Sequence, residues 1–160
     1  MDDIVLRNMN KALNVKQIID GIENTLSFGI SRGLNIIWVN IGDNLDKLRK
    51  GVEFLLKYDD HAQLRTIGPV TPYPGSPLYY YAIEKGLLKG VEDFYEKHIN
   101  SDLVSVNFTD LSDEEFHKAL CEANKILIKE YWRRQTEKMM ATSDELYIKK
   151  DVTFRGFRQI

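Results

Sequence analysis

Residues Leu34-Asn35-Ile36-Ile37-Trp38-Val39-Asn40-Ile41 form a mostly apolar run, rich in β-branched side chains, that leads straight into Gly42-Asp43-Asn44. Such a run predicts a strand covered on both faces, the type found in parallel sheets. Gly42-Asp43-Asn44 reads as a turn and helix cap. Upstream, Asn14 with Gln17 three residues on opens a helix. Val15, Ile18, Ile19, Ile22 and Leu26 recur at helical spacing along it, and Gly29 ends it. Downstream, a second helix carries Leu45, Leu48, Val52, Leu55 and Leu56 on one side, and Asp59-Asp60 breaks it. His61–Val70 then reads as a second strand, interrupted by Gly68-Pro69.

Thr71–Pro77 follows as an irregular loop stiffened by Pro72, Pro74 and Pro77. Ser76 caps a short helix with Pro77 in its first position and Gly86 at its end. Residues 90–98 predict a further short helix, and Leu103–Phe108 is a short apolar, strand-like piece. Ser112 with Glu115 is a capping box that starts a long amphipathic helix through Phe116, Leu120, Ala123, Ile126, Leu127 and Tyr131. Residues 137–160 are charged and ragged and are expected to be irregular, with strand character only at 145–149. Residues 1–13 read as the tail of an earlier element.

Composition narrows the function classes. The 160 residues carry a net charge of −2, with a pI near 5.9, so no general attraction to nucleic acid is indicated. No apolar run approaches the roughly 20 residues that span a bilayer. The start, Met-Asp-Asp-Ile-Val, does not read as a secretory signal. Cys121 is the only cysteine, which excludes an internal disulfide and a Cys-only metal site. A cytoplasmic protein is the simple inference.

Ligands of α/β folds sit beyond the carboxyl ends of the strands. Both Gly42-Asp43-Asn44 and Thr71–Pro77 fall there. A glycine at such a point admits close approach of a ligand to the backbone, and the next helix offers free N–H donors. The plainer alternative is that Asp43 and Asn44 cap a helix and that the prolines form a rigid turn. His61, His98 and His117 are dispersed and read as surface or capping histidines. Cys121 lies one turn from His117, but two ligands do not make a zinc site, and a buried helical cysteine is the commoner case. Trp132-Arg133-Arg134 with Lys138 reads as a solvated basic face.

Thr71-Pro72-Tyr73-Pro74-Gly75-Ser76-Pro77-Leu78-Tyr79 is similar to the sixth-strand end of radical S-adenosylmethionine (SAM) enzymes, in the branch that often also binds cobalamin. Val39-Asn40-Ile41-Gly42-Asp43-Asn44 resembles that family's fifth-strand end, with Val39 where glycine is common and Asp43 where glutamate is usual. Val5–Lys11 resembles the segment after the fourth strand. Asn107-Phe108-Thr109 and the capping box resemble the segment after the barrel. The resemblance covers roughly residues 3–135. It implies an enzyme in which a 4Fe–4S cluster, bound by Cys-x-x-x-Cys-x-x-Cys, gives one electron to SAM, which splits into methionine and a 5′-deoxyadenosyl radical. It also implies that Val39, Asn40, Ile41, Gly42, Thr71 and Pro72 help seat the adenosine of SAM.

The expectation from these readings is an α/β fold, a partial (half) TIM-type barrel with parallel strands and flanking helices plus a C-terminal helical extension. Residues 1–88 would be the half-barrel, 89–136 the helical extension and 137–160 an irregular tail. The chain would be a C-terminal fragment or subunit of a radical SAM oxidoreductase. It would carry no catalytic or metal-binding residue of its own, would be inactive alone, and would need the missing N-terminal half. SAM and the cluster would belong to the complete enzyme, with cobalamin an option in the parent protein, and the isolated chain would self-associate. The alternatives are a non-catalytic binding or scaffold module, and a small phosphate or nucleotide binder using the N–H groups after Gly42.

Overall fold

The computed structural model describes residues 2–30, 32–99, 103, 106–150 and 153. Local caps set most element starts. Asp2 accepts the N–H groups of Ile4 and Val5 to open α1 (Asp3–Asn8). Asn14 and Gln17 close the expected box at the head of α2 (Val15–Ser27). Asn44 accepts the Lys47 N–H at the start of α3 (Leu45–Tyr58). Ser76 caps α4 (Pro77–Glu84), and α5 (Val91–Lys97) follows without a side-chain cap. Ser112 and Glu115 close the second box at the head of α6 (Asp113–Tyr147). Two strands, β1 (Ile37–Trp38) and β2 (Gly68–Pro69), pair in parallel with Ile37 opposite Gly68 and Trp38 opposite Pro69.

α3 connects the two strands and packs against α6. On α6, Phe116, Leu120, Ala123 and Leu127 form one buried stripe. They meet Trp38, Val39, Leu48, Val52, Leu55 and Ile67 in the main core. At its centre the rings of Trp38 and Phe116 stack at 5.0 Å, 4° from parallel. A second core joins α4 and α5 through Tyr79, Ala82, Leu88 and Phe94, with Val106 against them. On α2 Ile22 is buried, Val15, Ile18 and Ile19 are half-buried, and Leu26 is exposed.

The half-barrel expectation is overturned. The described residues are 58% helical, and their one sheet has two strands of two residues each. Competing hydrogen bonds explain the shortness of β1. The Leu34 N–H faces the Asp59 carboxylate, the Asn40 N–H donates to Asp43, and the Ile41 N–H donates to the Asn40 side chain. These donors are therefore withdrawn from a ladder. Val39 also turns the chain out of the sheet, with φ +81.

The outer edge of β2 is closed in two ways. The Asn124 side chain of α6 donates to the Ile67 carbonyl (3.0 Å) and accepts the Ile67 N–H (2.8 Å). Pro69 has no N–H to offer. A further strand cannot pair there while Asn124 holds that position. His61–Val70, expected as a strand, contributes only Gly68–Pro69 to the sheet.

The expected ragged tail also differs. α6 runs on to Tyr147, so residues 145–147 are helix where strand character was read. Good helix formers fill this stretch, and Arg133 pairs with Glu130 and Glu137 while Arg134 pairs with Glu130. The two arginines hold the Glu130 carboxyl down at about 2. Such exposed pairs contribute little individually, and their effect lies in their number along the helix. Residues 151–152 and 154–160 lie outside the described residues, as do 104 and 105 of the strand-like piece Leu103–Phe108. No described helix is long and apolar enough to cross a membrane.

Candidate functional site

Parallel pairing brings the two sequence motifs to the same end of the sheet. The Val70 N–H donates to the Trp38 carbonyl (2.8 Å), which sets Val39–Gly42 beside Thr71–Pro72. All six residues expected at the site are thus on two adjacent strand ends. Val39, Asn40 and Pro72 are buried, whereas Ile41, Gly42 and Thr71 reach the surface. Of the six, these three are the ones a ligand can touch directly.

The loop after β1 is closed by its own side chains. The Asn40 N–H donates to Asp43 Oδ2 at 2.8 Å, and the Asp43 N–H returns to the Asn40 carbonyl at 2.9 Å. The Ile41 N–H donates to Asn40 Oδ1 at 2.8 Å. Two outside groups clamp the turn: Asn8 Nδ2 donates to the Ile41 carbonyl and Lys47 Nζ to the Gly42 carbonyl. Gly42 has φ +84, and a Cβ there would stand 3.2 Å from Asn8 Nδ2, so glycine is needed for conformation and for room. Asp43 therefore caps the loop, and Asn44 alone caps the helix.

Val39 is the most constrained residue of the site. It is fully buried, and its φ of +81 lies in a region that a β-branched side chain rarely adopts. Backbone strain of this kind costs about 1–3 kcal/mol and clusters at functional sites. Val39→Gly removes the strain and loses the buried side chain, whereas Val39→Ala loses the side chain and keeps most of the strain. We expect Val39→Gly to be at least as stable as Val39→Ala in urea unfolding, the reverse of the usual order. An alanine variant more stable by about 1 kcal/mol, the ordinary preference, would show that the backbone is not strained there.

Burial pushes the Asp43 carboxyl above the usual 3.8, and the Asn40 N–H and Lys47 pull it part of the way back. The folded chain then binds this proton more tightly than the unfolded chain. The group's contribution is fullest below 3.8 and declines as pH rises through the raised folded value. The stability difference between Asp43→Asn and the parent chain should therefore shift in favour of the variant between about pH 3 and about pH 7. Urea midpoints measured across that range check it; a shift of the opposite sign would mean that the hydrogen bonds to the carboxylate outweigh its burial.

Beside this turn lies a cavity of about 380 Å³ between α1, α2, β1 and α3. Its walls include Leu6 of α1 and Met9 just past the end of that helix, in a segment that reads from sequence only as a tail. The faint signal was local: apolar Val5, Leu6 and Met9 recur at helical spacing behind the Asp2 cap.

Other expectations meet different outcomes. His61 is buried, not a surface histidine: it sits at φ +53 with Nδ1 3.6 Å from Asp59, and its carbonyl accepts from Gln135. His98 and His117 each bond to a carbonyl one helical turn back. Cys121 is exposed rather than buried. Among the described residues no group of three or more His, Cys, Asp and Glu is placed to hold a metal ion. No protein-family model, no curated protein and no solved structure matches the chain.

Proposed function

We propose that the chain lends the strand ends Val39–Gly42 and Thr71–Pro72 to the SAM and substrate pocket of a radical SAM-type oxidoreductase. One observation carries the reading. Val39, at the point where the resembled family commonly has glycine, holds a backbone conformation that glycine favours, next to the Thr71-Pro72 end of the neighbouring parallel strand. In this reading Ile41, Gly42 and Thr71 line the adenosine side, and Val39, Asn40 and Pro72 shape the loops behind them. Bound SAM would supply the radical chemistry of such an enzyme. The 4Fe–4S cluster does not fit this chain, because Cys121 is its only thiol. The cluster, and cobalamin if it is used, belong to another portion of polypeptide, and the chain alone is inactive. The place of action is the cytoplasm.

The test is recovery of the epitope-tagged chain from its source cells without oxygen, with iron, sulfide and polypeptide mass determined. Iron and sulfide in a fraction heavier than 18.6 kDa, together with saturable SAM binding, are expected. A chain that elutes alone, free of iron and indifferent to SAM, would refute the proposal.

Self-association of the isolated chain is part of the same proposal, through the open edge of β1. In a parallel ladder the Ile37 peptide groups point away from β2, and the residue is 47% exposed. Ile37→Lys should lower the apparent mass at high concentration in size-exclusion chromatography. An unchanged elution profile would place the contact elsewhere.

The non-catalytic scaffold reading draws on the outer half of α6, where Trp132, Met139 and Met140 stand exposed. A sharp thermal transition of the isolated chain, with no iron or SAM dependence in cells, would favour it.

A further inference from the structure

We infer that the outer half of α6 pairs with the same segment of a second copy of the chain, antiparallel, about a two-fold axis between Met139 and Met140. The inference is independent of the SAM reading and of the open edge of β1.

The first observation is an uncovered face. The inner half of α6 buries Phe116, Leu120, Ala123 and Leu127, and beyond Leu127 the helix buries only Thr142. Trp132, Met139, Met140 and Tyr147 are each at least 50% exposed. At 3.6 residues per turn these four share one face with Thr136 and Ser143. Large apolar side chains gathered on one face mark an interaction surface.

The second observation is the order of residues on that face. Read forward it runs aromatic, hydroxyl, methionine: Trp132, Thr136, Met139. Read backward from its other end it runs the same way: Tyr147, Ser143, Met140. Each matched pair is centred on the point between Met139 and Met140. A two-fold axis through that point lays Trp132 on Tyr147, Thr136 on Ser143 and Met139 on Met140 of the other copy. Such self-complementarity is what a two-fold contact requires. The small Thr136 and Ser143 lie on the midline of the face, where they let two helices approach, and the larger side chains interlock to either side.

The third observation is charge. Arg133 and Asp144 lie on one border of the face. An antiparallel pair sets each border against itself in reverse, so Arg133 comes nearly level with Asp144 of the other copy. A parallel pair would set Arg133 on Arg133 and Asp144 on Asp144. Glu130 and Glu137 already hold Arg133, so the cross-pair selects orientation more than it adds affinity. The same register brings Lys129 towards the Lys149–Lys150 end of the other copy, which limits affinity. With four large side chains from each copy the contact is small, and the dimer is weak and concentration-dependent.

Sedimentation equilibrium of the full chain carrying Ile37→Lys, which charges the edge of β1, isolates the α6 contact. A monomer–dimer equilibrium is expected. Met140→Lys should weaken it at least tenfold by setting two ammonium groups at the axis, and Asp144→Lys about threefold. Circular dichroism should show unchanged helix content, because neither side chain is buried in the single chain. Disulfide formation reads the register in the chain with Ile37 intact and Cys121→Ser, which removes the exposed native thiol. Met140→Cys should cross-link to itself. Trp132→Cys should not, since the two copies of that position stand about 22 Å apart along the axis, but it should cross-link to Tyr147→Cys when the two variants are mixed. The inference is overturned by a chain that stays monomeric, by a dimer that Met140→Lys leaves intact, or by Trp132→Cys cross-linking to itself as readily as Met140→Cys. Capture of an unlike protein on this face of a monomeric chain would also overturn it. Failure of SAM binding leaves it untouched.

Discussion

Phe116→Ala is expected to lower stability by about 3–5 kcal/mol, the cost of emptying a ring-sized space in a core that cannot collapse. Phe116 is 0% exposed and stacks on Trp38, the residue that holds β1 against α6. Loss of the ring removes the stacking partner of Trp38 from the cluster that also holds Ile67, so the sheet and the helix loosen together. Domains of this size have about 5–15 kcal/mol in total, so much of the margin disappears. The urea midpoint should fall sharply with the slope retained. Trp132→Ala is the matched control: that ring is 59% exposed, and the change should stay within about 0.5 kcal/mol. A Phe116→Ala loss below about 1 kcal/mol would mean that the stack is not part of the cooperative core.

Asn124→Ala is expected to cost about 2–4 kcal/mol for a different reason. The Asn124 amide satisfies both backbone groups of Ile67, a residue 1% exposed. Alanine leaves a buried N–H and a buried C=O without partners at one stroke. Asn124→Asp gives a sharper contrast, because a carboxylate can still accept the Ile67 N–H but has nothing to donate to the Ile67 carbonyl. It should recover part of the loss in acid, where a protonated carboxyl regains a donor. Native-state hydrogen exchange at Ile67 reads the result directly. An Ile67 amide that stays protected in Asn124→Ala would show that a water or another group substitutes for the amide.

Much of the local architecture was legible in the chain. The boxes Asn14/Gln17 and Ser112/Glu115, the caps Asn44 and Ser76, and the stops Gly29 and Gly86 lie where their residue types predict. These signals involve neighbours three or four residues apart and need no fold to act. The long helix was read from Phe116, Leu120, Ala123 and Leu127, which are its buried stripe. Its outer half was missed because ion pairs and helix propensity, not an apolar stripe, carry it. The strands are shorter than their composition predicts. Leu34–Ile41 has strand composition, but the Asp59, Asn40 and Asp43 side chains take backbone donors that a ladder would use.

The six site residues were placed from the resemblance, and the parallel pairing of β1 and β2 is what sets their two loops side by side. Asp43 was read as a helix cap, and only the folded turn makes it a buried loop cap with a raised proton affinity.

By itself, then, the sequence determined where helices begin and end, the apolar stripe of α6, and the two loops that follow the strands. Those features are decided by contacts within one or two turns of chain. The tertiary structure alone decided that the sheet stops at two strands, because Asn124 meets Ile67 across 57 residues. It alone decided the φ of Val39, the Trp38–Phe116 stack and the cavity under α1. Each depends on groups far apart in sequence, whose meeting follows from how the whole core packs rather than from any local pattern.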